Sequence, residues 1–335
     1  MSNAQTNPLI GLEGLPPFSK IKPEHVVPAL KKGIEHCRSA IDDVLAKQSY
    51  TWNDLVLPLE EADDKLSRLF SPVSHLNSVM NNDELREAYE QCLPLISEYS
   101  TFVGQHQGLY EAYSALYNSD EFKTLTTAQQ KTVTNALRDF KLSGIALNPE
   151  QQKRYGEISA RLSELASKFG NNVMDATLAW HKHITDESQL AGLPESALAL
   201  AADTAKSKDL EGWVFTLDFP SYLPIMTYAD DRELRKETYT AFSTRASDQG
   251  PNAGEFDNSA IMSEELALRH ELAQLLGFNN YAEKSLATKM AESPAQVFSF
   301  LEDLAAKSKP QAEQEVAELK AYAAQKHGIT ELEAW

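Results

Sequence analysis

Two groups of residues in this chain have the types and spacing to do metal chemistry. His181 and His183 stand two apart in the alternating stretch Trp180-His181-Lys182-His183-Ile184. On an extended strand that spacing places both imidazoles on one face, and Asp186 is close enough in sequence to be a third ligand. The competing reading is a pair of surface or ribbon-packing histidines. It is favoured, because no second cluster at ligand spacing accompanies them. The other group is His270-Glu271-Leu272-Ala273-Gln274. In an H-E-x-x-H helix, imidazoles at i and i+4 converge on one zinc ion and the glutamate acts on bound water. Here a glutamine amide, a poor zinc ligand, stands in the second imidazole's place, and H-E-x-x-H occurs nowhere in the chain. Leu266, Leu268, Leu272, Leu275 and Leu276 surround the sequence, so an ordinary amphipathic helix with a polar flank is the favoured reading. The expected catalytic, cofactor-binding and metal-binding sets are therefore all empty.

Other chemistries find no support. His25, His36, His75, His106 and His327 are scattered. There is no G-x-S-x-G, no phosphate-cradling glycine loop and no dinucleotide fingerprint. Acidic pairs such as Glu60-Glu61, Asp63-Asp64 and Asp230-Asp231 suit exposed helix ends. Cys37 and Cys92 are the only cysteines and form no C-x-x-C, which disfavours a disulfide framework or a cysteine zinc site. Each is expected to be a small buried hydrophobe.

The elements that must position these residues are helices. Pro23 opens a segment striped by Val26, Val27, Leu30, Ile34, Cys37, Ile41 and Leu45. Thr51 is a cap for a helix through Leu55, Leu59 and Leu66, and Asn82 precedes a longer run to Tyr113. Pro94 and Gly104 interrupt that run, predicting a kink or break. Thr126 and Gln129 make a capping box, and Asn148-Pro149-Glu150 is the clearest helix start. Residues 180–184 and 213–217 read as strands of a small antiparallel ribbon, with an alanine-rich helix near 195–206 between them. Helices resume after Asp230 and from about Ser293 to Lys326.

The bulk properties agree with such a chain. Its 335 residues are 42% hydrophobic and 24% charged, ordinary values for a globular protein, and only 14 glycines disfavour a turn-rich β fold. The formal charge of -18 repels nucleic acid and anionic membranes, so neither is an expected partner. It mainly describes a solvated acidic surface. No long apolar run suggests a membrane span, and a reducing cytoplasm is the expected location.

Several stretches resemble the thimet-oligopeptidase family of zinc metallopeptidases. They are Leu15-Pro16-Pro17-Phe18 with Ile21-Lys22-Pro23-Glu24-His25, Phe70 to Asn77, Leu165 to Thr177, Leu217 to Tyr228, Phe242-Ser243-Thr244-Arg245, and Arg269 to Ala291. The similarity runs in family order from about residue 8 to 335. It implies a mainly α fold, a multi-helix bundle forming one wall of a deep peptidase channel, with the β ribbon near residues 178–218. It also implies zinc in the full-length parent, short peptides as substrates, and a zinc-bearing catalytic region beyond 335. The resulting organisation has a tag or disordered start at 1–7, an N-terminal helical region at 8–177, and the ribbon with further helices at 178–335. This chain alone is expected to carry no zinc, to be inactive, and to self-associate through an exposed cut face. The alternative is an independent helical scaffold that binds protein partners without catalysis.

Overall fold

The computed structural model describes residues 7–335, so most of the expected 1–7 start lies outside the described residues. Asn7 itself is buried, and its Nδ2 donates to the His25 carbonyl at 2.8 Å. The described residues form a mainly α structure with one two-stranded sheet. The chain divides into two compact units, Met1–Ser167 with Leu268–Tyr281, and Lys168–Ala267 with Ala282–Trp335.

In the first unit, α1 (Pro23–Lys47) packs on α2 (Leu57–Val79) and α3 (Asp83–Gly104). Then come α4 (Gln107–Tyr117), the short α5 (Asp120–Thr124), α6 (Thr127–Leu142) and the start of α7 (Pro149–Ala179). The expected starts are built by side chains that accept otherwise unpaired amides. Asn82 caps Leu85, Thr126 and Gln129 close a reciprocal box, and Asn148 accepts from Gln151 at 2.9 Å. Thr51 Oγ1 caps Asp54, but a five-residue π-helical turn, Trp52–Val56, comes before α2. The expected interruption falls at Gly104, not Pro94, which α3 runs through. A Cβ at Gly104 would sit 2.5 Å from the Ser143 side chain, so the helix needs glycine where that chain crosses.

Two apolar cores form within this unit. One gathers Leu30, Leu69, Val73 and Cys92, and the other Val44, Leu55, Leu116 and Phe140. Both cysteines are buried, and the Cys37 thiol donates to the Ala62 carbonyl at 3.3 Å.

In the second unit, β1 (His181–Ile184) pairs antiparallel with β2 (Trp213–Thr216), with His181 opposite Thr216 and Ile184 opposite Trp213. Between them lies α8 (Glu195–Ser207), as the alanine-rich stretch predicts. Gly212 enters β2 at φ +90°, and a Cβ there would lie 2.5 Å from the Ile184 carbonyl oxygen. Only glycine holds that approach without strain. The ribbon, α8, α9 (Phe219–Tyr228) and α10 (Arg232–Ser243) bury Ile184, Phe215, Ile225 and Leu234 together. The unit also holds most of α11 (Ser259–Leu275), most of α12 (Tyr281–Leu286) and the 34-residue α13 (Pro294–His327). Along α13 almost every residue is exposed, and Ala323 alone is buried.

Candidate functional site

The ribbon places His181 and His183 on an exposed face, as their spacing requires. His183 Nε2 lies 2.6 Å from the Glu211 carbonyl oxygen. A carbonyl only accepts, so this nitrogen carries the proton and has no lone pair for a metal. Asp186 turns away to cap the helical turn Glu187–Leu190, accepting the Ser188 amide at 2.9 Å. Hydrogen bonds from the Ser188 hydroxyl and amide hold its carboxyl below the usual range. The three candidate ligands therefore do not converge.

The second candidate is equally committed to structure. Glu271 accepts a fork of two hydrogen bonds from Arg154 of α7, Nε to Oε1 at 2.6 Å and Nη2 to Oε2 at 2.8 Å. Bidentate geometry of this kind is the strong form of a charge pair. Gln274 Nε2 donates to the Phe278 and Asn279 carbonyls, closing the end of α11. His270 is exposed. This triplet does not fit a zinc ion: one member is an amide donating to backbone, and the carboxylate is held by an arginine. Among the described residues, no group of three or more His, Cys, Asp or Glu could hold a metal ion. Leu266, one of the leucines around this sequence, is 67% exposed.

The Arg154–Glu271 fork has a pH signature. Its hydrogen bonds hold the Glu271 carboxyl below its ordinary value. The stabilisation is therefore full above the unfolded value, about 4.3, and is lost as pH falls through the lower folded value. Arg154→Met is expected to lower the melting temperature at pH 7, with the gap from the parent narrowing at lower pH. A gap that stays constant from pH 7 to acid would contradict this role.

Sequence spacing did not reveal a node in the second unit, where three of the resembling stretches meet. Arg245 Nη1 donates to Thr177 Oγ1 at 2.9 Å, and its guanidinium lies 3.8 Å from the centroid of the Phe242 ring. Tyr222 stacks on that ring at 3.9 Å between centroids. Desolvation lowers the Arg245 pKa, and Trp180 and Leu217 are buried beside Ala241, with Phe242 packed against them. Asn258 is buried too, accepting from Asn172 and donating to the Phe169 carbonyl. The node uses its polar groups for packing and orientation. The signal for it was the density of family-like stretches, not any pairwise pattern.

The same unit leaves large apolar side chains in water. They include Phe219 and Leu223 on α9, Met262 and Leu266 on α11, and rows on α13 containing Phe298, Leu301, Leu319 and Tyr322. Residues four apart, or three, share a helical face, so each group makes a short strip, the two on α13 being separated by residues 305–315, which carry no large apolar side chain.

Residues 30–152 match the family described as Neurolysin/Thimet oligopeptidase, N-terminal domain, and residues 225–335 match Peptidase family M3. The chain is 62% identical over 331 residues to Oligopeptidase A of Salmonella typhimurium, covering 98% of this chain and 49% of that protein. It is 62% identical over 331 residues to Oligopeptidase A of Escherichia coli, with the same coverage. Similarity extends to Organellar oligopeptidase A of Arabidopsis thaliana, 38% identical over 325 residues, 95% of this chain and 40% of that protein. The chain thus spans about half the length of the bacterial relatives it matches.

Proposed function

This chain belongs to peptidase family M3, matching the N-terminal portion of bacterial oligopeptidase A, and we propose that it supplies the non-catalytic half of a zinc-dependent oligopeptidase. The complete enzyme hydrolyses short peptides in the cytoplasm. Its zinc and catalytic base come from residues outside this chain, and this chain forms a wall against which peptide lies. The observation that carries the reading is the commitment of Glu271 to Arg154 and of Gln274 to backbone carbonyls, which leaves α11 with no zinc chemistry.

The exposed strips of the second unit support the same reading. A 34-residue helix with one buried residue has little tertiary packing of its own, although packing supplies most helical stability in proteins. In the complete enzyme the α13 strip packs against the remaining half, and in the isolated chain it drives self-association. The domain organisation belongs to this proposal as well: a helical region at 8–177, and the ribbon with further helices at 178–335.

Complementation tests it. The chain is co-expressed with the part of Escherichia coli oligopeptidase A lying beyond the region of similarity. Cleavage of a short quenched-fluorescence peptide is then measured with and without chelator. The expected result is chelator-sensitive cleavage by the pair and none by either part alone. A pair that co-purifies but stays inactive would contradict the assignment.

A further inference from the structure

Six large apolar side chains of α13 fall into two triplets. Phe298, Leu301 and Leu304 form one, Val316, Leu319 and Tyr322 the other, and all are 46–63% exposed. Each member stands eighteen residues from its counterpart, which is five whole turns of an α-helix. Both triplets therefore share one side of the helix, about 27 Å apart along its axis. Between them that side carries Ala305, Ser308 and Ala312, small residues that let another backbone come close. Its one charged residue between the triplets is Glu315, which accepts from Gln311 Nε2 at 3.0 Å. Pro310 lies on the opposite side of the helix, clear of this face.

One flank of that face carries charge in a symmetric order. Glu302, Lys309, Glu313 and Lys320 run along it, with Lys309 and Glu313 in a loose pair at 3.8 Å. The order acid, base, acid, base becomes its own complement when the helix is turned end for end. Glu302 and Lys320 are equidistant from residue 311, and so are Lys309 and Glu313. The apolar triplets have nearly the same centre: Phe298 and Tyr322, Leu301 and Leu319, and Leu304 and Val316 are each equidistant from residue 310. Apolar face and charged flank thus call for the same partner in the same register. In a two-fold pair the same surface patch serves both copies, so self-complementarity of this kind is what such an interface needs.

We propose that α13 pairs antiparallel with α13 of a second copy of this chain, about a two-fold axis beside residues 310 and 311. Leu301 then lies opposite Leu319 of the second copy, Phe298 opposite Tyr322, and Leu304 opposite Val316. On the flank, Glu302 meets Lys320 and Lys309 meets Glu313. A parallel pair would put the two copies of this flank on opposite sides, where these charges could not meet. The closed symmetry yields a dimer and stops there. The inference shares with the proposed function the reading of α13 as an uncovered face. It is tested by cross-linking, whereas that reading is tested by complementation, so either can fail alone.

The test uses the full chain in two variants, Leu301→Cys and Leu319→Cys, at positions exposed enough for the fold to tolerate them. A disulfide needs its Cβ atoms about 3.5–4.5 Å apart. In the antiparallel pair position 301 faces 319 of the second copy, whereas the two copies of position 301 are about 27 Å apart. Under mild oxidation the mixture is therefore expected to form the mixed 301–319 disulfide at least tenfold faster than either variant alone forms its own. Sedimentation velocity of the unsubstituted chain should show monomer and dimer with no larger species. Lys309→Glu should weaken the dimer severalfold, and adding Glu313→Lys to it should restore the affinity. Faster cross-linking of either variant with itself would overturn the proposal. So would open-ended assembly, a monomer at about 100 μM, or a double charge variant no tighter than the single one.

Discussion

Phe215→Ala is expected to cost about 3–5 kcal/mol in the second unit, the largest effect of any single truncation there. The ring is 1% exposed and sits in β2 among Ile184, Ile225 and Leu234. It thereby joins the ribbon to α9 and α10. Deleting it removes the transfer energy of the ring and leaves a hole that surrounding elements fill only in part. Amide exchange protection at Ile184 and Val214 under increasing denaturant reports this unit directly. A loss below about 1 kcal/mol would mean that the ribbon is not seated on this core.

The second large effect concerns association. Phe298, Leu301 and Leu319 are all more than half exposed on α13. Burying a side chain of this size contributes about 1.5–3 kcal/mol. Replacing the three with serine is therefore expected to weaken self-association of the isolated chain by more than tenfold. Sedimentation velocity across a concentration series measures it. The melting temperature should scarcely change, because these side chains touch little in the chain itself. A chain that is monomeric at high concentration before substitution would contradict the strip as an interaction face.

Local signals made much of this architecture legible. Caps at Asn82, Thr126 and Asn148 lie within three residues of the amides they serve, so a short window contains the whole interaction. The ribbon was readable because alternation and β-rich composition both act at that range. What escaped notice was nonlocal. Arg154 and Glu271 are 117 positions apart, and Arg245 and Thr177 are 68 apart. Spacing also leaves the exposure of Leu266 undecided, since an apolar strip has the same spacing whether it meets a neighbour or water.

The metal candidates show the limit of spacing as a signal. His181 and His183 do share a face, yet Glu211 and Ser188 engage His183 and Asp186 separately. Ligand geometry depends on what the other atoms of each side chain are doing. Likewise, His270-Glu271 differs from a zinc helix by one residue in the motif, but Arg154 already holds its carboxylate.

We propose that this chain contributes structure, not the reacting groups, to an oligopeptidase. The most direct measurement is hydrolysis of a short quenched-fluorescence peptide by the purified chain, with zinc added and then with chelator. No cleavage above the protein-free control is expected in either condition. Cleavage that co-purifies with the chain and disappears on chelation would contradict it.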